Sequence, residues 1–127
     1  MSTSCRTVQD IDLSDEKVTR ILDRLDEMER RTKTSERRSP RRYLRGTAMI
    51  TNMSLPGYTT ADYRVRLRNV SQHGVVFLCR HAWDAGTRFD IELPIGPDLS
   101  IVQKKAAVVR CRHVEGPICE IGAQFVS

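Results

Sequence analysis

The sequence predicts a mainly β protein, a six-stranded antiparallel β-barrel preceded by an N-terminal amphipathic α-helix. Three observations carry that expectation. From Gly46 onward apolar and polar residues alternate at the period of a half-buried strand, most clearly Tyr63, Val65 and Leu67 against Arg64, Arg66 and Arg68. Short turn signals, among them Pro56-Gly57 and Glu115-Gly116-Pro117, separate these stretches, with no helical pattern between them. Earlier in the chain Val18, Ile21, Leu22, Leu25 and Met28 recur at the three-and-four spacing of a helix stripe.

Three segments follow from this. Residues 1–13 are polar and without period, and are expected to form a flexible tail. Residues 14–35 are expected to be the helix and a linker. Ser14 reads as the N-cap, and Asp15 and Glu16 place negative charge at the positive end of the helix dipole. The helix should fade near Arg31–Thr34, because Pro40 cannot lie inside it. Its stripe spans under two heptads and its outer face is charged with both signs, so two destinations stay open. The stripe can dock on the chain's own barrel, or it can meet a protein partner or a second copy in a homo-oligomer. Residues 36–127 are expected to be the barrel, with strands at Thr47–Thr51, Ala61–Asn69, Gly74–Arg80, Thr87–Leu93, Ile101–Val114 and Ile118–Val126. The fifth of these is long enough to be bent or bulged. Closure into a barrel removes the exposed edges such short strands would otherwise leave.

Composition narrows the function. The 127 residues carry a formal net charge of +5, which favours anionic partners without identifying them. No run of about 18 apolar residues is present to span a bilayer. Met1 to Arg6 lacks the apolar core of a secretory signal, so a cytoplasmic protein is expected. The cysteines are Cys5, Cys79, Cys111 and Cys119, with no Cys-x-x-Cys pair. Cys79 with His81, and Cys111 with His113, repeat a Cys-x-His pattern that two strands could bring together. Zinc sites usually draw a ligand pair from a tight turn, which is missing here, so no metal or other cofactor is expected. No nucleophile elbow, P-loop or His-Glu-x-x-His helix occurs, and an enzyme is not expected.

What remains is anion binding. Arg30, Arg31, Lys33, Arg37, Arg38, Arg41, Arg42 and Arg45 stand against a single Glu36 across the hinge. Such a segment repels itself and should order when an anion arrives. Guanidinium forks pair bidentately with phosphate and with the O6/N7 edge of guanine. A solvated basic linker explains the run equally well when it is taken alone. The second stretch is Asn69-Val70-Ser71-Gln72-His73-Gly74, between two predicted strands. Asn69 offers an amide to a base edge, Ser71 offers a hydroxyl, and Gly74 permits a close backbone approach. An ordinary Asn/Ser/Gly turn is the plain alternative.

Together the two stretches resemble a known family. Arg37-Arg38-Ser39-Pro40-Arg41-Arg42 is similar to the RxxxR-type motif of PilZ domains, and Asn69 to Gly74 to their (D/N)xSxxG motif, in the same order. The strand at Lys104–His113 followed by Glu120 to Phe125 is similar to their closing hairpin. The resemblance covers about residues 36–126. It implies a bacterial receptor for cyclic di-GMP, built as a six-stranded barrel whose N-terminal arm wraps the ligand. On that basis Arg37, Arg38 and Arg42 are expected to grip guanine edges and phosphates. Asn69, standing where Asp is commoner, is expected to read a guanine edge, Ser71 to bond phosphate or base, and Gly74 to allow close approach. Ordering of the arm is expected to reposition the N-terminal helix and so control a protein contact or oligomeric state. Two other readings stay open. One is a nucleic-acid-binding small barrel, disfavoured because the few aromatics mostly alternate into the core. The other is a ligand-independent adaptor acting through its helix.

Overall fold

The computed structural model describes residues 8–11, 13–31, 46–51 and 62–126. The helix begins as its cap dictates. Lys17 N donates to Ser14 Oγ at 3.2 Å, and Val18 N donates to the Ser14 carbonyl at 3.0 Å. Helix α1 then runs Asp15–Arg31. A short strand β1, Val8–Asp10, precedes it, and six strands follow. These are β2 (Thr47–Thr51), β3 (Asp62–Val70), β4 (Gly74–Cys79), β5 (Arg88–Leu93), β6 (Val102–Glu115) and β7 (Ile118–Val126). The ends of each differ from the predicted strand by no more than one residue.

Strands β2 to β7 close the barrel. Their spatial order is β3-β2-β5-β6-β7-β4, and β4 returns to pair with β3, every pairing being antiparallel. Alternation fills the interior. Tyr63, Val65 and Leu67 of β3, Phe77 of β4, Phe89 and Ile91 of β5 and Ile121 of β7 all belong to one buried cluster. Trp83 lies at its centre, 5.3 Å from the Tyr63 ring and 5.7 Å from both Phe77 and Phe89. These edge and tilted contacts are the favoured arrangement of aromatic quadrupoles.

The N-terminal tail departs from expectation. Val8–Asp10 pairs in parallel with the start of β3, Val8 opposite Asp62 and Asp10 opposite Arg64. Three residues are too few to display a period, so the sequence carries no sign of this strand. It forms because the start of β3 offers an edge that β4 does not reach: β4 pairs only from Arg66 onward.

The helix stripe docks on the barrel. Val18, Ile21, Leu22 and Leu25 are buried together with Ile11, Leu78 of β4 and Ile118 of β7. Leu78 and Ile118 therefore point outward and form a second hydrophobic cluster under α1. Met28, last of the stripe, is 51% exposed. Leu22→Ala should thus lower unfolding free energy by about 2–5 kcal/mol, while Met28→Ala changes it by no more than about 0.5 kcal/mol, both read from denaturant midpoints. Equal effects at the two positions would show that the stripe is not docked.

Candidate ligand-binding site

Strand β3 carries one residue too many. Leu67 faces Phe77 across the β3–β4 ladder, but Asn69 faces the very next residue, Val76, so Arg68 is the extra residue of a β-bulge. Regular alternation would have placed Asn69 beside Leu67 on the core side. The bulge instead puts Arg68 and Asn69 together on the outer face and returns Val70 to the core.

Arg68 was expected on a solvated face, and it is 3% exposed. Its Nη1 reaches Glu120 Oε2 at 2.9 Å, and its Nη2 lies 3.1 Å from both Asp26 Oδ1 and Glu29 Oε1 of α1. Glu120 is also buried, and its second oxygen accepts from Arg112 Nη2 at 2.7 Å. A buried guanidinium needs this many acceptors, because desolvating an ion costs several kcal/mol unless its donors are matched. At the other end of the helix Arg66 pairs with Asp15.

Two rows of residues cross the outer face. In one, Arg66, Leu78, Glu120 and Arg112 are successive cross-strand partners, and α1 packs over part of it. In the next, Asn69 pairs with Val76, Val76 with Gly122, and Gly122 with Arg110. The second row is open. It floors a cleft of about 270 Å³ whose walls include Ser71, His73, Val109 and Gln124. Asn69 is 2% exposed, lines this cleft, and its buried Nδ2 has no hydrogen-bond partner among the described residues. Buried polar groups are nearly always satisfied, so this amide is one that a ligand can complete.

Ser71 and Gly74 also line the cleft, and each has structural work there. Ser71 Oγ accepts from His73 N at 3.3 Å and from Gly74 N at 3.2 Å, which pins the β3–β4 turn. A Cβ on Gly74 would stand 2.3 Å from the Ala123 carbonyl oxygen. Glycine at this position is therefore required by the packing of β4 on β7.

Arg37, Arg38 and Arg42 lie outside the described residues. The ends of their segment are described, and both are held by the residues just before Asn69. On one side Glu29, two residues before the end of α1, holds Arg68. On the other side the Gly46 carbonyl accepts from Leu67 N at 2.7 Å. Sequence reasoning missed Val109, Arg110, Gly122 and Gln124 as parts of the cleft. The available signals were the hairpin resemblance over these strands and the length of the β6 stretch, which foretold a bulge without locating it.

The Cys-x-His pairs singled out in the sequence, Cys79 with His81 and Cys111 with His113, lie elsewhere among the described residues. No group of three or more His, Cys, Asp or Glu side chains is arranged to hold a metal ion there. His81 packs edge-on against Tyr63, and His113 Nε2 meets the Gly116 carbonyl. Burial pushes the Cys79 thiol up to about 12, so it stays protonated at neutral pH and is a poor nucleophile. No described helix is long and apolar enough to cross a membrane.

Two substitutions test this account. Glu120→Gln removes a charge facing buried Arg68 and should cost about 3 kcal/mol of stability, whereas Arg20→Ala, which breaks an exposed pair with Glu16, should cost no more than about 0.5 kcal/mol. Gly74→Ala should cost about 1–3 kcal/mol by overpacking, with or without ligand. Thermal or chemical denaturation reads all three.

The sequence matches the family model described as the PilZ domain over residues 35–127. No curated protein matches it. Among solved structures it is similar to the Bacillus subtilis inhibitor of motility MotI/DgrA, at 11% identity and a TM-score of 0.56, over 74% of this chain and 44% of that one. The chain thus spans less than half the length of MotI. It is also similar to the PilZ domain of YcgR from Escherichia coli, solved with c-di-GMP, at 19% identity and a TM-score of 0.55, over 73% of this chain and 79% of that one. At such identities the likeness speaks for the fold, the closed barrel described above. With the family model covering nearly the whole barrel and its approach, this chain belongs to the PilZ domain family.

Proposed function

We propose that this protein is a bacterial receptor for cyclic di-GMP, and that the ligand draws the arginine arm over the cleft. The observation that carries this reading is Asn69: a buried amide whose nitrogen has no partner among the described residues, lining an open cleft, next in the chain to the residues that hold both ends of the arm. Its amide presents one donor and one acceptor in a plane. The O6 and N1–H of guanine are the matching pair. Arg37, Arg38 and Arg42 supply forks for phosphate and for the second base. The Ser71 hydroxyl, already shaping the turn, turns its proton toward a phosphate oxygen. The protein acts as a receptor, with no catalytic step.

The output runs through α1. Arg68, which holds the C-terminal half of α1, is the neighbour of Asn69 in the chain. An arm pulled onto the cleft pulls on the end of α1 and loads that ion cluster. Release of the helix exposes Val18, Ile21, Leu22 and Leu25, the surface a protein partner or a second copy would bind.

Titration calorimetry tests the first step. The wild type should bind cyclic di-GMP, Asn69→Ala should weaken binding by roughly 1–3 kcal/mol, and Arg38→Ala should weaken it at least as much. An unchanged isotherm in both variants sinks the assignment. RNA binding that falls steeply with salt and ignores cyclic di-GMP would favour a nucleic-acid-binding barrel. For the second step, amide exchange in α1 should speed up when ligand is added. Unaltered protection would remove the helix from the mechanism.

A further inference from the structure

We propose that Arg110 sets the preference of the cleft for guanine over adenine, an inference that rests on the cyclic-dinucleotide reading above. The reason begins with Asn69. Its amide can turn over, exchanging donor and acceptor. One orientation suits the O6 and N1–H of guanine, and the other suits the N6 amino group and N1 of adenine. A carboxylate in that place would only accept and could not make this exchange. Asn69 alone therefore holds a purine without choosing between the two.

Arg110 stands at the opposite end of the same row, three strand spacings or about 14 Å along the sheet from Asn69. A second bulge puts it there. The β6–β7 register shifts between Val108 and Arg110, so Val108 stays in the core while Val109 and Arg110 both face out. Gly122, between Arg110 and Val76 in the row, has no side chain, and Arg110 lies across it. A Cβ on Gly122 would be 2.9 Å from Arg110 Nε and 3.1 Å from its Cγ. Beside it Val109 is 56% exposed, an apolar lip for a planar base.

Arg110 is also unengaged by the described residues. Arg66, Arg68 and Arg112, on the same outer face, each hold a carboxylate. Arg110 makes no hydrogen bond or ion pair with a described residue. A guanidinium only donates. Its fork matches the O6 and N7 acceptors of guanine, while the N6 amino group of adenine sets donor against donor. The apolar surroundings, Val76 and Val109, suit a base better than a phosphate. Asn69 thus orients a purine, and Arg110 selects which purine binds.

The test is calorimetric titration of the full chain with cyclic di-GMP and with cyclic di-AMP. Wild type is compared with Arg110→Ala, Arg110→Lys and Gly122→Ala, each first checked for an unchanged melting temperature. Arg110→Ala should weaken cyclic di-GMP roughly tenfold and leave cyclic di-AMP nearly unchanged, so the preference falls by the same factor. Arg110→Lys keeps the charge without the fork and should behave like the alanine variant. Gly122→Ala, which displaces the guanidinium without removing it, should also lower the preference. Equal losses for both ligands, or full recovery with lysine, would mark a phosphate contact and overturn the proposal. So would a wild-type preference retained in Arg110→Ala. Wild type that binds neither dinucleotide overturns the receptor reading as well, which separates the two failures.

Discussion

The extra residue in β3 decides which way the end of that strand faces. With Arg68 inserted between Leu67 and Asn69, a charged side chain and a neutral amide both leave the barrel on its outer surface. The two then take different neighbours. Arg68 goes under α1, where Glu120, Asp26 and Glu29 surround it. Asn69 goes to the open cleft. Burying the Arg68–Glu120 pair is not by itself a large source of stability, since apolar residues of similar volume often do as well. What the cluster supplies is position. An apolar stripe can slide along an apolar groove. Carboxylates at Asp15, Asp26 and Glu29, answered by Arg66 and Arg68, allow one seating of the helix.

Most of the barrel was legible because its strands obey a strict period. Phe89, Ile91 and Leu93 face in, while Arg88, Asp90 and Glu92 are more exposed, as alternation requires. The same rule gave β3 correctly as far as Leu67 and failed at the next residue. A bulge leaves no mark in the alternation before it, and Arg68 looked like the third member of an exposed arginine series. The helix was legible from its stripe, but its binding surface was not. Leu78 and Ile118 sit in apolar runs, Val75 to Cys79 and the start of β7, where inward and outward residues are equally apolar. Neighbouring residues of β4 therefore serve two cores, and only the fold tells them apart.

The site divides along similar lines. Asn69 and Ser71 were legible from their motif, and the structure brings them to one cleft. The far wall was not legible as part of the cleft, because the hairpin resemblance that includes Arg110 and Gly122 speaks for the fold and assigns neither a place at the ligand. Gly74 was legible as a necessary glycine, yet for a different reason. The Ala123 carbonyl occupies the space a side chain would need, so the ligand is not required to explain it.

Tethering gives the arm its character. A free peptide with this charge would lose most of its binding energy to ordering itself around an anion. Here the segment leaves α1 close to Arg68 and re-enters at Gly46, bonded to Leu67, so both ends are already fixed within two residues of Asn69. The proposed closure would be an intramolecular step at high effective concentration, its remaining cost being the slack between the two anchors. The same anchoring makes the helix answerable to the cleft. One anchor is the ion cluster that seats α1. If the arm closes as proposed, tension along it would be felt by Asp26 and Glu29 before it reached the apolar stripe. Because those pairs are short-range and directional while the stripe is not, a small displacement of Arg68 takes away the register of the helix well before it takes away its burial. On the proposed receptor reading, binding and output would be coupled through one bulged residue.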